Sequence, residues 1–266
     1  MICVRAVALA CLLAAAAAPA FAQGAMSPRE QANLALVSDW WRSVIQAGHV
    51  ELAAQYMAPD YIQHNPNIDT GRDAFVEIFG RREAGPIPEM LTPAPVVRFA
   101  KGDFVVFVWE RQGTNPADGS AYPYHFFDVV RVENGVVAEH WDSVFRPVAA
   151  PGAAPPAPVE PGLGPRPVAP ANTPGEQAIE DVAAAAVLDG ADDEPELVLT
   201  SGDLVLYMFR RFAEDPAVPD AVYKWNWFDL ARVADGRVVE HWDMATHETP
   251  PPPAPRPAQF REYRER

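Results

Sequence analysis

Two short stretches of this sequence concentrate groups that can move protons. Tyr61-Ile-Gln-His64-Asn65-Pro66 gathers four polar side chains in one connection, with Pro66 fixing the local chain. Glu139-His140-Trp141-Asp142 sets an imidazole two residues from a carboxyl, and His125 lies upstream of it. A carboxyl held in an apolar pocket has a raised pKa and works as a general acid or base near neutrality. Imidazole titrates in the same range. His64, His125, His140 and Asp142 are also metal-ligand types, but no pair of histidines sits four apart on a helix, so no metal is expected. Spacing alone leaves a second reading open. His140 and Asp142 can cap strand ends or make structural hydrogen bonds, and Asn65-Pro66 is also a surface-turn signal.

The elements that must position these groups begin after an export signal. Arg5 precedes an apolar run from Ala6 to Ala18, and Ala20-Phe21-Ala22 offers small residues two apart. Charged start, short apolar core and an Ala-x-Ala site make residues 1–22 a signal peptide. The protein is therefore expected in the periplasm or outside the cell, with no membrane segment once the signal is removed. Cys3 and Cys11 both leave with the signal. The mature chain then has no cysteine chemistry. Among 266 residues, 21 basic and 36 acidic side chains give a formal charge of −15, and losing Arg5 makes it −16. Such a surface repels nucleic acid.

Composition divides the rest. Residues 28–147 read as a folded domain. A linker at 148–174 follows, in a stretch (147–174) where ten of 28 residues are proline. Residues 175–247 look folded again, and 248–266 form a Pro-rich, charged tail expected to be disordered. In the first block Leu34, Val37, Trp41, Val44 and Ile45 recur at helical spacing. A short second helix carries Leu52, Ala53, Tyr56 and Met57 inward and stops at Pro59. A third begins at Thr70, whose hydroxyl can cap it. After Pro93 the period becomes alternating. Strands are expected at 96–100 and 104–111, then at 122–133 and 136–145 around the hairpin turn Asn134-Gly135. Three helices followed by antiparallel strands is an α+β pattern, with the helices closing a curved sheet into a cone.

The chain contains an internal repeat. Phe127 to Asp142 aligns with Phe228 to Asp243 without a gap, and 10 of 16 positions are identical. Gly102-Asp103 likewise matches Gly202-Asp203. Nothing repeats the first two helices or Tyr61 to Pro66. A half-covered sheet would leave an apolar face bare, so the truncated second copy is expected to pack sheet to sheet on the first as an internal pseudo-dimer.

A two-residue turn at Asn134-Gly135 pairs Glu133 with Val136, Val129 with His140 and Phe127 with Asp142. One face then carries His125, Phe127, Val129, His140 and Asp142. The other carries Phe126, Asp128, Val130, Glu139 and Trp141. A bulge would shift this register.

Tyr-Ile-Gln-His-Asn-Pro, Phe-Asp-Val-Val-Arg-Val-Glu-Asn-Gly and Glu-His-Trp-Asp resemble the SnoaL-like proteins, relatives of the polyketide cyclases within the nuclear-transport-factor-2-like superfamily. The resemblance spans about residues 33–147. It implies a cystatin-like cone and cofactor-free acid–base chemistry beside a carbonyl, of lyase or isomerase type. It implies Asp142 as acid–base with a histidine one strand away, His125 being the nearest candidate, and His64 with Asn65 as polar loop residues. Asn65, Tyr61 and Phe127 are the expected ligand contacts, and Asp142, His125, His64 and His140 the expected catalytic set. The expected partner is a small apolar carbonyl compound, bound by a monomeric pseudo-dimer or a homodimer. A non-catalytic ligand-binding module of the same fold is the rival reading, because one fold hosts many functions.

Overall fold

In the computed structural model, the described residues are 26–146, 164–188, 194–216, 218–247 and 252–257. The expected export signal, the expected linker through residue 163 and most of the expected tail lie outside them. No helix among the described residues is long and apolar enough to cross a membrane.

Helix α1 (Pro28–Trp40) starts at a capping box in which Ser27 and Glu30 satisfy each other's backbone N–H groups. It runs on into a π-helical turn, Trp41–Gln46. The two segments together bury Val37, Trp40, Trp41 and Val44. Helix α2 (Ala53–Tyr56) is a single turn. The chain then becomes a strand, β1 (Met57–Gln63), in place of the expected end of the second helix at Pro59 and the connection after it. Helix α3 is Arg72–Phe79, capped by Gly71 at φ 107 rather than by the Thr70 side chain. The Thr70 hydroxyl instead accepts the Gln63 backbone N–H at 3.1 Å.

Strands β2 (Val97–Lys101), β3 (Phe104–Thr114), β4 (Ala121–Glu133) and β5 (Val136–Asp142) form an antiparallel meander. β1 adds to its outer edge parallel to β5, giving the order β1-β5-β4-β3-β2. Asn134 and Gly135 both have positive φ, as the expected tight hairpin turn requires. One residue later the register departs from expectation. Val132 faces Val137, but Arg131 faces Glu139, so Ala138 is the extra residue of a bulge. From there His140 pairs with Val130, Trp141 with Val129 and Asp142 with Asp128.

The second unit is built from α4 (Pro174–Val187), β6 (Leu197–Ser201), β7 (Leu204–Glu214), β8 (Val222–Ala234) and β9 (Arg237–Asp243). Its sheet order is β6-β7-β8-β9, and among the described residues it has no counterpart of β1. The same bulge recurs, with Val233 opposite Val238 and Arg232 opposite Glu240. Part of the expected tail is ordered against this sheet, since Ala254 N–H donates to Phe212 O.

Three apolar clusters define the layers. The helices cover one face of the first sheet through Trp40, Trp41, Phe75, Phe107, Trp109 and Val130. A second cluster joins the two sheets, combining Phe99, Val106, Phe127 and Trp141 with Leu199, Leu206, Phe228 and Leu230. Phe127 and Phe228 stack across it at 5.4 Å. Helix α4 covers the far face of the second sheet through Ala183, Tyr207 and Ala231. Each apolar sheet face is thereby removed from water, which is the main favourable term in such packing.

Candidate functional site

Strand pairing and the bulge together decide which side chains meet. On the helix-covered face, Asp128, His140 and Asp142 converge. Each offers one oxygen or nitrogen within 4.8 Å of the others. His140 Nε2 lies 2.9 Å from Asp128 Oδ1, and Trp109 Nε1 donates to Asp128 Oδ2 at 2.7 Å. β1 supplies the other half. Gln63 Nε2 donates to the Tyr61 hydroxyl at 3.0 Å and faces His140 Nδ1 at 3.2 Å. Asn65 Nδ2 donates to Asp142 Oδ2 at 2.7 Å. His64 backbone N–H donates to His140 O, locking the end of β1 to β5. Every one of these side chains is buried, and Asp142 is 5% exposed. The rings of Trp40 and Trp41 stand edge-on to His140 at 6.3 and 6.2 Å.

The network assigns the protons. Asn65 N–H donates to Gln63 Oε1, so the Gln63 amide must turn its N–H toward His140. A nitrogen facing an amide N–H is an acceptor, which places the ring hydrogen on Nε2, donated to Asp128. Charge pulls the other way. Burial disfavours the imidazolium, but the Asp128 hydrogen bond and the charges of Asp128 and Asp142 raise the pKa of His140. Burial, aided by the Asp128 charge, raises Asp142 to about 6 against the opposing influence of His140, Asn65 and Arg111. Its Oδ1 is buried and has no hydrogen-bond partner. Burial and the neighbouring carboxylates hold the Tyr61 hydroxyl well above its ordinary pKa, so it stays protonated.

The structure therefore brings together Asp142, His140, Asn65 and Tyr61 of the residues expected from sequence, and separates the rest. His125 pairs with Glu110 on β3 and shares the parity of Phe127, so it points away from Asp142. Phe127 is in the sheet-to-sheet cluster. The physical reason is the Ala138 bulge. Below it the two strands keep the expected register, and above it every residue of β4 exchanges faces relative to β5. Asp128 and Val130 join the site face, while His125, Phe127 and Val129 leave it.

His64 is also on the far side. Its ring stacks on Trp141 at 4.7 Å and 3°. Nε2 meets Glu139 Oε1 at 2.7 Å, and Lys224 Nζ of the second unit donates to Nδ1 at 2.6 Å. Arg131 Nε donates to the other Glu139 oxygen at 2.8 Å. Lys224, His64 and Glu139 are all buried. Burial, with the Arg210 charge, lowers Lys224 to about 7, and burial raises Glu139 to about 7. Burial and the Lys224 charge push His64 well below its ordinary value. This chain of contacts ties β1 and β5 to β8. Asn226 of β8 also reaches the Asp142 backbone carbonyl at 3.5 Å. Trp109, Asp128 and Gln63 were not among the expected site residues. Asp128 carried a usable signal, since Phe-Asp recurs at Phe228-Asp229.

The second unit repeats Asp229, His241 and Asp243. His241 Nε2 meets Asp229 Oδ1 at 3.0 Å, and Trp227 Nε1 donates to Asp229 Oδ2 at 2.7 Å. The indole N–H comes here from β8, the neighbour of Phe209, whereas in the first unit it comes from Trp109 on β3, the neighbour of Phe126. With no β1 to cover it, His241 is 42% exposed in its side chain. A metal finds little room in the first cluster, because both Asp128 oxygens and both His140 nitrogens are already engaged.

Residues 37–140 match the family model of the SnoaL-like domain. No curated protein matches the chain. Similar solved structures include a candidate SnoaL-like polyketide cyclase from Jannaschia sp. CCS1, 15% identical over 44% of this chain and 88% of that one, with a TM-score of 0.32. A candidate polyketide cyclase from Acidithiobacillus ferrooxidans is 21% identical over 44% of this chain and 89% of that one, with a TM-score of 0.31. A protein of unknown function with a cystatin-like fold, from Xanthomonas campestris, is 18% identical over 41% of this chain and 88% of that one, with a TM-score of 0.30.

Proposed function

We propose that the unit whose residues 37–140 match the SnoaL-like domain is a cofactor-free lyase or isomerase acting on a small carbonyl compound. The observation that carries the reading is Asp142. It is a buried carboxyl with one oxygen held by Asn65 and the other without a partner. Such a group can take a proton from the carbon beside a carbonyl and return it to the alkoxide formed in the next step, so no proton is lost or gained overall. The Tyr61 hydroxyl accepts from Gln63 and keeps its own hydrogen, which can be donated to the developing enolate oxygen. His140 lies between Asp128 and Gln63, and through Gln63 it fixes the Tyr61 hydroxyl, so it is a positioning residue in this scheme.

The helices, the curved first sheet and β1 act as the cone that holds the ligand. The second unit serves as the partner in an internal pseudo-dimer, covering a sheet face that a homodimer would otherwise cover. Export through residues 1–22 places the reaction in the periplasm or outside the cell. The rival reading is a ligand-binding module of the same fold without chemistry, and the packing of Trp40 and Trp41 against His140 favours neither.

A screen of small aldehydes, ketones and β-keto esters separates the two. Asp142→Asn should abolish turnover, and Asp243→Asn should leave it intact, since the second unit lacks β1 and its Tyr61 and Asn65. Harm from Asp243→Asn alone would move the active half. An active protein indifferent to both changes would end the acid–base role of this aspartate.

A further inference from the structure

The helix-covered face of the first sheet opens along the strands. Asp128 and Trp109 are buried, Phe126 and Tyr124 are half-buried, and Arg111 is exposed. Arg111 pairs with Tyr124, two ladder steps beyond Asp128 and on the same face. Its guanidinium does not run out into water. It folds back over the Phe126 ring, 3.8 Å from the centroid. Phe126 is two residues from Asp128, which pairs with Asp142. The cation thus sits one step outside Asp142, and its charge is felt there. No described residue accepts a hydrogen bond from this guanidinium. An arginine held over a ring loses less freedom when it binds, and its fork of N–H groups matches a carboxylate.

The two uncommitted groups of this face are complementary in kind. Asp142 Oδ1 is a buried acceptor without a partner. Arg111 is a fixed donor fork at the rim. In the second unit the Arg211 guanidinium also lies over a ring, 4.6 Å from the Trp227 centroid, on the strand that carries Asp229.

We propose that the compound handled at Asp142 is a keto acid, whose carboxylate is gripped by Arg111 while its carbonyl-bearing end lies between Asp142 and Tyr61. Arg111 is in this scheme a specificity-determining residue. The inference rests on the acid–base reading for the placement of the carbonyl, but carboxylate recognition is measured without turnover.

The test uses the full-length protein with a matched pair, 3-benzoylpropionate and its methyl ester, followed by calorimetry and by ligand-observed NMR. The acid should bind about ten- to a hundredfold tighter than the ester at low salt, the range for a hydrogen bond to a charged group. Arg111→Gln should remove the preference while leaving the affinity for the ester unchanged. Arg111→Lys should keep part of it, and added salt should shrink it because the guanidinium is exposed. Equal binding of acid and ester, failure of both to bind, or a preference that survives Arg111→Gln would overturn the proposal. Asp142→Asn separates the two ideas. If it abolishes turnover and spares the acid preference, both stand. If the acid preference is present but no carbonyl compound ever turns over, carboxylate recognition stands and the acid–base reading falls.

Discussion

The replacement of Asp142 by Asn should change the pH dependence of stability in a way that can be worked out beforehand. In the folded protein the Asp142 carboxyl titrates at about 6 rather than 3.8, chiefly because it is buried. The folded state therefore holds a proton that the unfolded chain has released between these two values. Asp142 contributes its full stability below about pH 4, and loses it as pH rises through about 6. At 1.36 kcal/mol per pKa unit the loss amounts to roughly 3 kcal/mol. Asparagine has no such titration. Its amide can accept from Asn65 with its oxygen, but its NH2 then replaces the partnerless Oδ1 and lacks an acceptor. The protonated wild-type carboxyl has the same partnerless donor on Oδ1, so the two proteins should be of nearly equal stability near pH 4. The variant should then become the more stable protein as pH rises, by roughly 3 kcal/mol at pH 7.5. Urea unfolding at unit pH intervals measures this, provided both proteins keep the same m-value. A flat difference would mean that Asp142 is not a buried, partnerless carboxyl, and the chemical argument built on it would fail.

Other outcomes are expected from the same structure. Trp141→Ala should cost about 3–5 kcal/mol, as for other large buried side chains, whereas half-buried Trp242 should cost only roughly 1 kcal/mol. Equal losses in urea unfolding would mean that the two positions are buried alike. A Lys224→Met and Glu139→Gln double-mutant cycle should give a favourable coupling of about 1–3 kcal/mol through His64, and a value of zero would show that the relay does not join the units. Mature protein from the cell envelope should begin at Gln23 by intact mass, and a retained Met1 would refute the export signal.

The sequence by itself determined the local and periodic features. The Asn134-Gly135 turn, the change from helical to alternating apolar spacing and the duplication of Phe-Asp and Glu-His-Trp-Asp are written in adjacent residues. They sufficed for an α+β chain with a repeated sheet, for the SnoaL-like resemblance, and for Asp142, His140, Asn65 and Tyr61 as neighbours. Tertiary structure decided which face each residue serves. The one extra residue at Ala138 exchanges faces of β4 against β5, taking His125 and Phe127 out of the site and bringing Asp128 in. Nothing local announces it, because alanine fits a regular strand as well as a bulge, and the choice is made by burial of Trp141 between the sheets. β1 is a similar case. Met57–Gln63 has weak strand character with Pro59 within it, and becomes a strand because the exposed edge of β5 offers it hydrogen bonds. That pairing turns Gln63 and Asn65 toward His140 and Asp142, and sends His64, between them, to the opposite face and to Lys224, 160 residues away in the sequence.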